Sequence, residues 1–428
     1  MTAPSSDKSS SGFLDYAAIR TPSARYNRGL HLMALLTAAA TFPLVFMGGL
    51  VTSHEAGLAV PDWPNSFGYN MITFPPSQWI DGIFYEHVHR LLGTLVGVLA
   101  IALLVHALIV ERRAWVKWLS GAFLIAVSVQ GVLGGLRVIW VAVVDAIGQW
   151  LLGRPIVDGT RIAEVDLSFA IVHGCFGQAV FCLIALIATV TSRRWIEPPA
   201  APSSAAGAAA GRVVRLAAIA VVLIYAQLIV GAVMRHYRAG LAIPDFPLSY
   251  GRLLPPTNAA ELERINQWRI QQPEQVDLNT DARGVVGAVN RYRDGQRQFT
   301  LDPVSMWQVW LHFAHRVGAI VVSVGVIMLV VHILRRHRDE PWLTRLARLS
   351  AALLIAQLAL GVLTVLWRKP PDIASAHVAV GALLLAAAFV IAARAVRLGG
   401  QQGSSAALAP RRPAGSAEAL PRPQAVAG

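Results

Sequence analysis

Cysteine and charged residues are scarce in this 428-residue chain. Only two cysteines are present, and charged residues make up 14% of the sequence against 55% hydrophobic residues. Cys175 and Cys182 are seven positions apart in one apolar segment, which on a helix is about 10 Å of rise, too far for a disulfide. The composition therefore excludes a disulfide-rich secreted domain and an ordinary soluble globular protein. We expect the two cysteines to serve in packing.

Acidic residues are also few, with 24 Asp and Glu against 37 Lys and Arg. The excess of positive charge does not indicate a nucleic-acid partner, because the basic residues cluster in every second connection between apolar runs. Runs of about 20 apolar residues, long enough to cross a bilayer, lie near 31–53, 88–110, 116–140, 167–191, 213–235, 308–334, 346–367 and 374–396. The first run is too long for a signal-peptide core. The pattern predicts an all-α integral membrane protein in a bacterial-type inner membrane, with both termini cytoplasmic.

One motif occurs twice. Residues 56–70 read AGLAVPDWPNSFGYN, and residues 239–253 read AGLAIPDFPLSYGRL. Each copy is followed by a His-Arg pair at the start of an apolar run, and by one more histidine near the start of a later run. Four spans per half is an even number, so both halves have the same orientation. The sequence predicts eight transmembrane helices arranged as two parallel-repeat four-helix bundles.

The repeat also predicts the domain boundaries. The predicted segments are a cytoplasmic N-terminal tail (1–27), an N-terminal four-helix bundle (28–195), a cytoplasmic linker (196–211), a C-terminal four-helix bundle (212–398) and a disordered C-terminal tail (399–428). The AGLA motifs are 183 positions apart and the His-Arg pairs 226, so the second half carries 43 extra residues in its outer loop, 254–303. The sequence assigns this insertion no role. Asp302-Pro303 is expected to begin the span that follows.

Four histidines fall at one predicted depth, toward the periplasmic side of the membrane: His89, His173, His315 and His377. Polar groups at membrane depth are costly and are functional by default. For a single histidine the simpler interpretation is a hydrogen bond to a nearby carbonyl. A zinc site would need three or four ligands. One histidine on the second and one on the fourth helix of each bundle instead predicts two imidazoles on a heme iron. Whether the more outward His54, His87, His236 and His312 contact heme is left open.

The two halves differ one helical turn outward of the His-Arg pair. Glu86 lies on the same face as His89, whereas the corresponding position of the second half is His312. Glu86 would serve as a base or would stabilise positive charge on a porphyrin; a solvated carboxylate or a partner of Arg90 is the alternative. Arg90 and Arg316 are candidate contacts for heme propionates.

Two further patterns have structural interpretations. Gln130, Gln227 and Gln357 each precede a glycine by four positions, which is typical of close helix packing with interhelical hydrogen bonds. The two Pro-Asp-aromatic-Pro segments, 61–64 and 244–247, predict rigid loops over the outer ends of the pockets.

With these motifs the chain resembles the heme A synthase family, eight-span enzymes that oxidise the C8 methyl of heme O to a formyl group through a hydroxymethyl stage, for terminal oxidase assembly. The resemblance covers nearly all of 28–397. It is carried by Glu86-His87-Val88-His89-Arg90, by His315-Arg316, by His173 and His377, and by QGVLGGLRV at 130–138.

The resemblance implies specific roles. Glu86 would be catalytic, and His89 and His173 would hold heme O, which leaves as heme A. His315 and His377 would hold one resident heme b that carries electrons. Heme O synthase and a membrane electron acceptor would be partners. Some relatives have a cysteine pair in an outer loop where residues 54–85 have none, so no thiol step is carried over.

Two other functions remain open at this point. A di-heme b-type cytochrome relaying electrons from quinol would need hemes at two depths, and a non-catalytic heme-binding assembly factor would need no carboxylate. The sequence does not determine the electron acceptor, the oxygen source or the oligomeric state, a homo-oligomer included.

Overall fold

The computed structural model describes residues 25–153, 159–197, 210–271, 288–293 and 296–408. Its elements in chain order are α1 (Arg28–Ser53), α2 (Asp81–Val110), α3 (Ala114–Leu152), α4 (Gly159–Val190), α5 (Arg193–Ile196), α6 (Ala210–His236), α7 (Ala259–Gln271), β1 (Ala288–Arg293), β2 (Gln296–Leu301), α8 (Met306–Arg336), α9 (Pro341–Leu366) and α10 (Pro371–Leu408). Most of both predicted tails (1–24 and 409–428) and the middle of the predicted linker (198–209) lie outside the described residues.

Eight of these helices are long and apolar enough to cross a membrane: α1, α2, α3, α4, α6, α8, α9 and α10. This confirms the predicted all-α membrane fold and its number of spans. Two helices run further than expected. The third continues past residue 140 to Leu152, and the last continues through 399–408, where the sequence predicts a disordered tail.

The spans pack as two rings of four. In the first ring α1 to α4 each contact the next, and α4 closes against α1; α6, α8, α9 and α10 form the second ring in the same way. The rings meet where α1 and α4 contact α10, and α4 contacts α6. Accordingly α10 and α4 are the most buried of the eight described spans, with 56% and 44% of their apolar central residues buried inside the protein. The arrangement agrees with the predicted pair of bundles.

The inserted segment of the second half contains α7 and an antiparallel hairpin in which Ala288 of β1 lies opposite Leu301 of β2. The expectation that the next helix begins at Asp302-Pro303 is wrong, because this helix begins at Met306. Ser305 is the N-cap, since its side chain accepts from the backbone N–H of Gln308 while the Gln308 side chain accepts from the backbone N–H of Ser305. This reciprocal capping gives two backbone N–H groups at the helix start a hydrogen-bond partner. A helix that began at Pro303 would lack these two bonds.

Candidate functional site

His89 and His173 face each other inside the first ring. Their ring centres are 6.2 Å apart and their planes are inclined by 76°. A metal midway between two imidazoles, at about 2 Å from each nitrogen, needs ring centres about 6 Å apart. One turn inward on the same face, a Cβ at Gly93 would meet no atom within 4 Å. The spacing and the open space beside the rings fit a flat iron porphyrin.

The second ring brings His315 and His377 together, close enough for their charges to interact. In both rings, each histidine packs edge-on against a glycine of the preceding span. A Cβ there would lie 3.0 to 3.3 Å from the histidine Cε1, for the pairs Gly48 with His89, Gly134 with His173, Gly231 with His315, and Gly361 with His377. The missing Cβ atoms therefore let each imidazole lie against the neighbouring helix.

The glutamines of the Gln-x-x-x-Gly pattern link the glycine-bearing helices to the histidine-bearing helices. Gln130 donates to the carbonyl of His173 at 3.0 Å, and Gln227 donates to the carbonyl of His315 at 2.7 Å. This confirms the prediction of interhelical hydrogen bonding. The sequence alone did not reveal that the partner helix is the one that carries the candidate ligand histidine, although a signal was present: each glutamine lies one turn from a glycine that faces one of the four histidines.

The second imidazole nitrogen of each histidine lies against the preceding span. The Nδ1–H of His377 donates to the carbonyl of Gln357 at 3.1 Å, and Gln227 Nε2 lies 3.0 Å from His315 Nδ1. In the first ring the carbonyls of Leu44 and Gln130 lie beside His89 and His173, although the buried Nδ1 atoms there make no hydrogen bond of standard geometry with the described residues. Neighbouring groups of this kind orient metal-binding imidazoles.

The repeated loops are built alike. Asp62 accepts from the N–H groups of Phe67 and Gly68 at 2.7 and 2.8 Å. Asp245 accepts from those of Tyr250 and Gly251 at 2.8 and 2.9 Å. Both glycines adopt positive φ, 77° and 74°, a region in which a Cβ would be strained. Each loop is thus cross-linked by its own aspartate, and its rigidity stays a prediction.

Arg90 and Arg316 anchor these loops to the ligand helices. Arg90 donates to the carbonyls of Val60, Asp62 and Asn65 at 2.6 to 3.0 Å. Arg316 donates in the same way to the carbonyls of Leu248, Ile243 and Asp245 at 2.7 to 3.0 Å. Propionate contacts by these two arginines stay a prediction, and their guanidinium groups are already engaged by the loops.

Glu86 is buried, with 4% of its surface exposed. Its Oε1 lies 2.5 Å from Arg90 Nη2 and its Oε2 accepts from the N–H of Val60 at 2.9 Å. In the second ring, His312 Nδ1 accepts from the N–H of Ile243 at 3.1 Å. Both residues thus hold the loop at matching places, but only the first ring has a carboxylate there.

The other outer histidines make contacts of their own. His87 is fully buried, its Nδ1 lies 3.1 Å from Ser66 Oγ, and its ring packs against Phe74 and Trp79. His54 stacks on Tyr85 with 3.9 Å between ring centres. His236 Nδ1–H donates to the carbonyl of Ala232 at 2.8 Å.

The insertion braces the loop of the second ring. Arg269 of α7 is only 2% exposed and donates to the carbonyls of Asp302 and Leu241 and to the Tyr250 hydroxyl. Burial lowers the pKa of this guanidinium, and the nearby Tyr250 opposes that shift. Asn266 forms two hydrogen bonds with the backbone of Val304 at 3.0 and 2.8 Å. The extra residues therefore tie the second loop to the start of α8.

The chain is similar to proteins that have been named. Residues 31–389 match the model of the family described as Cytochrome oxidase assembly protein (COX15-CtaA). The protein "Heme A synthase" of Rhizorhabdus wittichii is 24% identical over 392 residues, which cover 86% of this chain and 93% of that protein. Those of Rhodopseudomonas palustris strain HaA2 (25% over 390 residues; 84% and 88%) and Beijerinckia indica (27% over 271 residues; 56% and 68%) are also similar. Since the family model spans most of its length, the chain belongs to the COX15-CtaA family of cytochrome oxidase assembly proteins.

Proposed function

We propose that this protein is a heme A synthase that oxidises the C8 methyl of heme O to a formyl group, through a hydroxymethyl stage, for terminal oxidase assembly. The observation that carries the proposal is the asymmetry of the two rings. Both hold a facing pair of histidines, but a buried carboxylate, Glu86, stands one turn from the pair only in the first. The names of the similar proteins support the same activity.

In this proposal His89 and His173 hold heme O in the first ring, and His315 and His377 hold one heme b in the second. The difference at Glu86 supports this division, because Glu86 stands beside the first pair and His312 occupies the corresponding place beside the second. In the second ring the carbonyl of Gln357 orients His377, and Gln227 lies against His315, which suits a resident cofactor.

Glu86 is proposed as the catalytic carboxylate. Both of its oxygens are engaged, by Arg90 and by the Val60 N–H, so the carboxylate is held in a fixed place. Abstracting a proton would require breaking the ion pair. A fixed charge that stabilises positive charge developing on the porphyrin edge fits this geometry better. The heme iron supplies the redox chemistry when bound.

The setting is proposed from the charge pattern and the fold. The protein spans a bacterial-type inner membrane, both termini are cytoplasmic, and the histidine pairs lie toward the periplasmic side. All four histidines lie near the bundle end that carries the two repeated loops, which is called the outer end below. Heme O synthase and a membrane electron acceptor are the proposed partners.

Pigment extraction and chromatography of the purified protein test the function. We expect hemes B, O and A together, because the substrate and product of the first ring and the resident heme of the second copurify. Heme B alone would contradict the proposal and favour an electron-relaying cytochrome. Heme O that is not converted to heme A when the protein is supplied with an electron acceptor and oxygen would favour a non-catalytic assembly factor.

A further inference from the structure

Two cations lie at the outer end where the two rings meet, and no role above uses them. Lys369, in the turn between α9 and α10, is 7% exposed. Its Cδ and Cε lie 3.6 and 3.7 Å from the place that a Cβ of Gly240 would occupy. Arg235, near the end of α6, donates to the carbonyl of Gly49 and the hydroxyl of Ser53 on α1. Its buried Nε has no hydrogen-bond partner within the described part of the chain.

The charges around this pair do not balance. Lys369 lies within charge-interaction range of Arg235, Arg238 and Glu55. Glu55 already forms an ion pair with Arg238 at 2.9 Å. No second carboxylate of the described residues acts on Lys369. Since buried charge without a partner is costly, this arrangement favours an anion that the described residues do not supply.

The position of Arg235 relates the pair to the second ring. Arg235 lies one turn outward of Gly231 on the same helix face, and Gly231 is the glycine that faces His315. Arg235 is also close enough to His377 for their charges to interact. A flat group held between these two histidines, with its carboxylates turned toward the aqueous end, would bring them to Arg235 and Lys369.

We propose that Arg235 and Lys369 form a carboxylate-binding site that takes a propionate of the heme held by His315 and His377; the inference rests on the proposed function. Charge-assisted hydrogen bonds from a guanidinium and an ammonium suit a carboxylate. Because Arg235 also binds α1 through Gly49 and Ser53, the bound propionate would lie at the contact between the two rings.

Redox titration of the b-type heme in the full-length purified protein tests this site. We expect Lys369→Met to lower the midpoint potential, because a positive charge near the heme stabilises the reduced form. We also expect about tenfold faster heme transfer to apomyoglobin, since one charge-assisted hydrogen bond is lost. Lys369→Arg keeps the charge and should keep both values. Arg264→Gln, which removes an exposed cation of α7, is the matched control.

Each other outcome has a defined meaning. If the potential and the transfer rate of Lys369→Met both equal those of the wild type, the inference is wrong. If the potential is unchanged but an anionic phospholipid no longer copurifies, the anion is a lipid headgroup and the inference is equally wrong. Arg235→Gln gives the second measurement if Lys369→Met does not fold. Wild-type protein that contains no heme would instead overturn the proposed function together with this inference.

Discussion

Glu86 and Arg90 form an ion pair with 2.5 Å between Oε1 and Nη2, and both residues also bind the backbone of the loop between α1 and α2. In the second ring, His312 takes the place of Glu86 and accepts from the equivalent loop N–H. Glu86 thus combines loop attachment, which both rings need, with a negative charge that only the first ring has. These two tasks can be separated by substitution.

Glu86→His makes the first ring resemble the second at this place. It retains an acceptor for the Val60 N–H but removes the carboxylate, whereas Glu86→Gln keeps the shape and removes the charge. We expect both variants to bind heme normally and to lower the heme A content of cells by about 10²-fold or more, because a fixed charge at the reaction site is lost. Chromatography of extracted hemes measures this. Wild-type heme A in both variants would contradict the catalytic role.

Gln227→Leu tests whether Gln227 controls heme retention by positioning His315. Leu44 stands at the position of the first half that corresponds to Gln227 under the 183-residue offset. We expect Gln227→Leu to release heme b about 10- to 100-fold faster, because the backbone of His315 loses the amide that holds it. Transfer of heme to apomyoglobin gives the rate. Gln130→Leu, which removes the glutamine that holds His173 in the first ring, should leave the release of heme b unaltered.

Arg269→Gln tests the brace provided by the insertion. The substitution leaves the buried carbonyls of Leu241 and Asp302 without their donor. We expect a loss of about 1–3 kcal/mol, seen as a lower thermal midpoint in detergent and as faster proteolysis of the loop 242–253. Arg264→Gln, an exposed position of the same helix, should change neither. Equal behaviour of the two variants would show that α7 does not stabilise the loop.

Because Lys369 has a lowered pKa, we expect the stability of heme-depleted protein to rise with pH. Burial lowers the pKa of its ammonium from 10.5 to about 8; Arg235 and Arg238 add to the shift and Glu55 opposes it. Between these two values the unfolded chain binds a proton that the folded chain does not, so the free energy of unfolding increases with pH across that window. Thermal unfolding from pH 8 to 10.5 should show the rise in the wild type. Lys369→Met should lack it, and a persisting rise in that variant would exclude Lys369 as its source.

Much of the candidate site is predictable from local sequence. The four candidate ligand histidines are recognisable because duplication repeats them near the start of apolar runs, and His89 and His173 do face each other with 6.2 Å between ring centres; heme ligation itself stays a prediction. The predicted start of α8 was wrong by one turn, because both Asp302-Pro303 and the Ser305–Gln308 capping box are helix-start signals within a few residues. The sequence also did not predict that Arg90 donates to loop carbonyls, because these bonds depend on how the loop folds back over α2.

By itself the sequence determined the number of spans, the duplication, the identity of the histidines and the contrast between Glu86 and His312. These follow from composition, helical spacing and the two offsets, which are properties of short stretches of chain. Tertiary structure alone decided which glycine faces each histidine, which groups lie beside each imidazole, and that Arg235 and Lys369 lie near each other. These contacts join side chains from different helices, up to 186 positions apart for Arg235 and Gly49. Only the packing of the two rings brings such groups within hydrogen-bond distance.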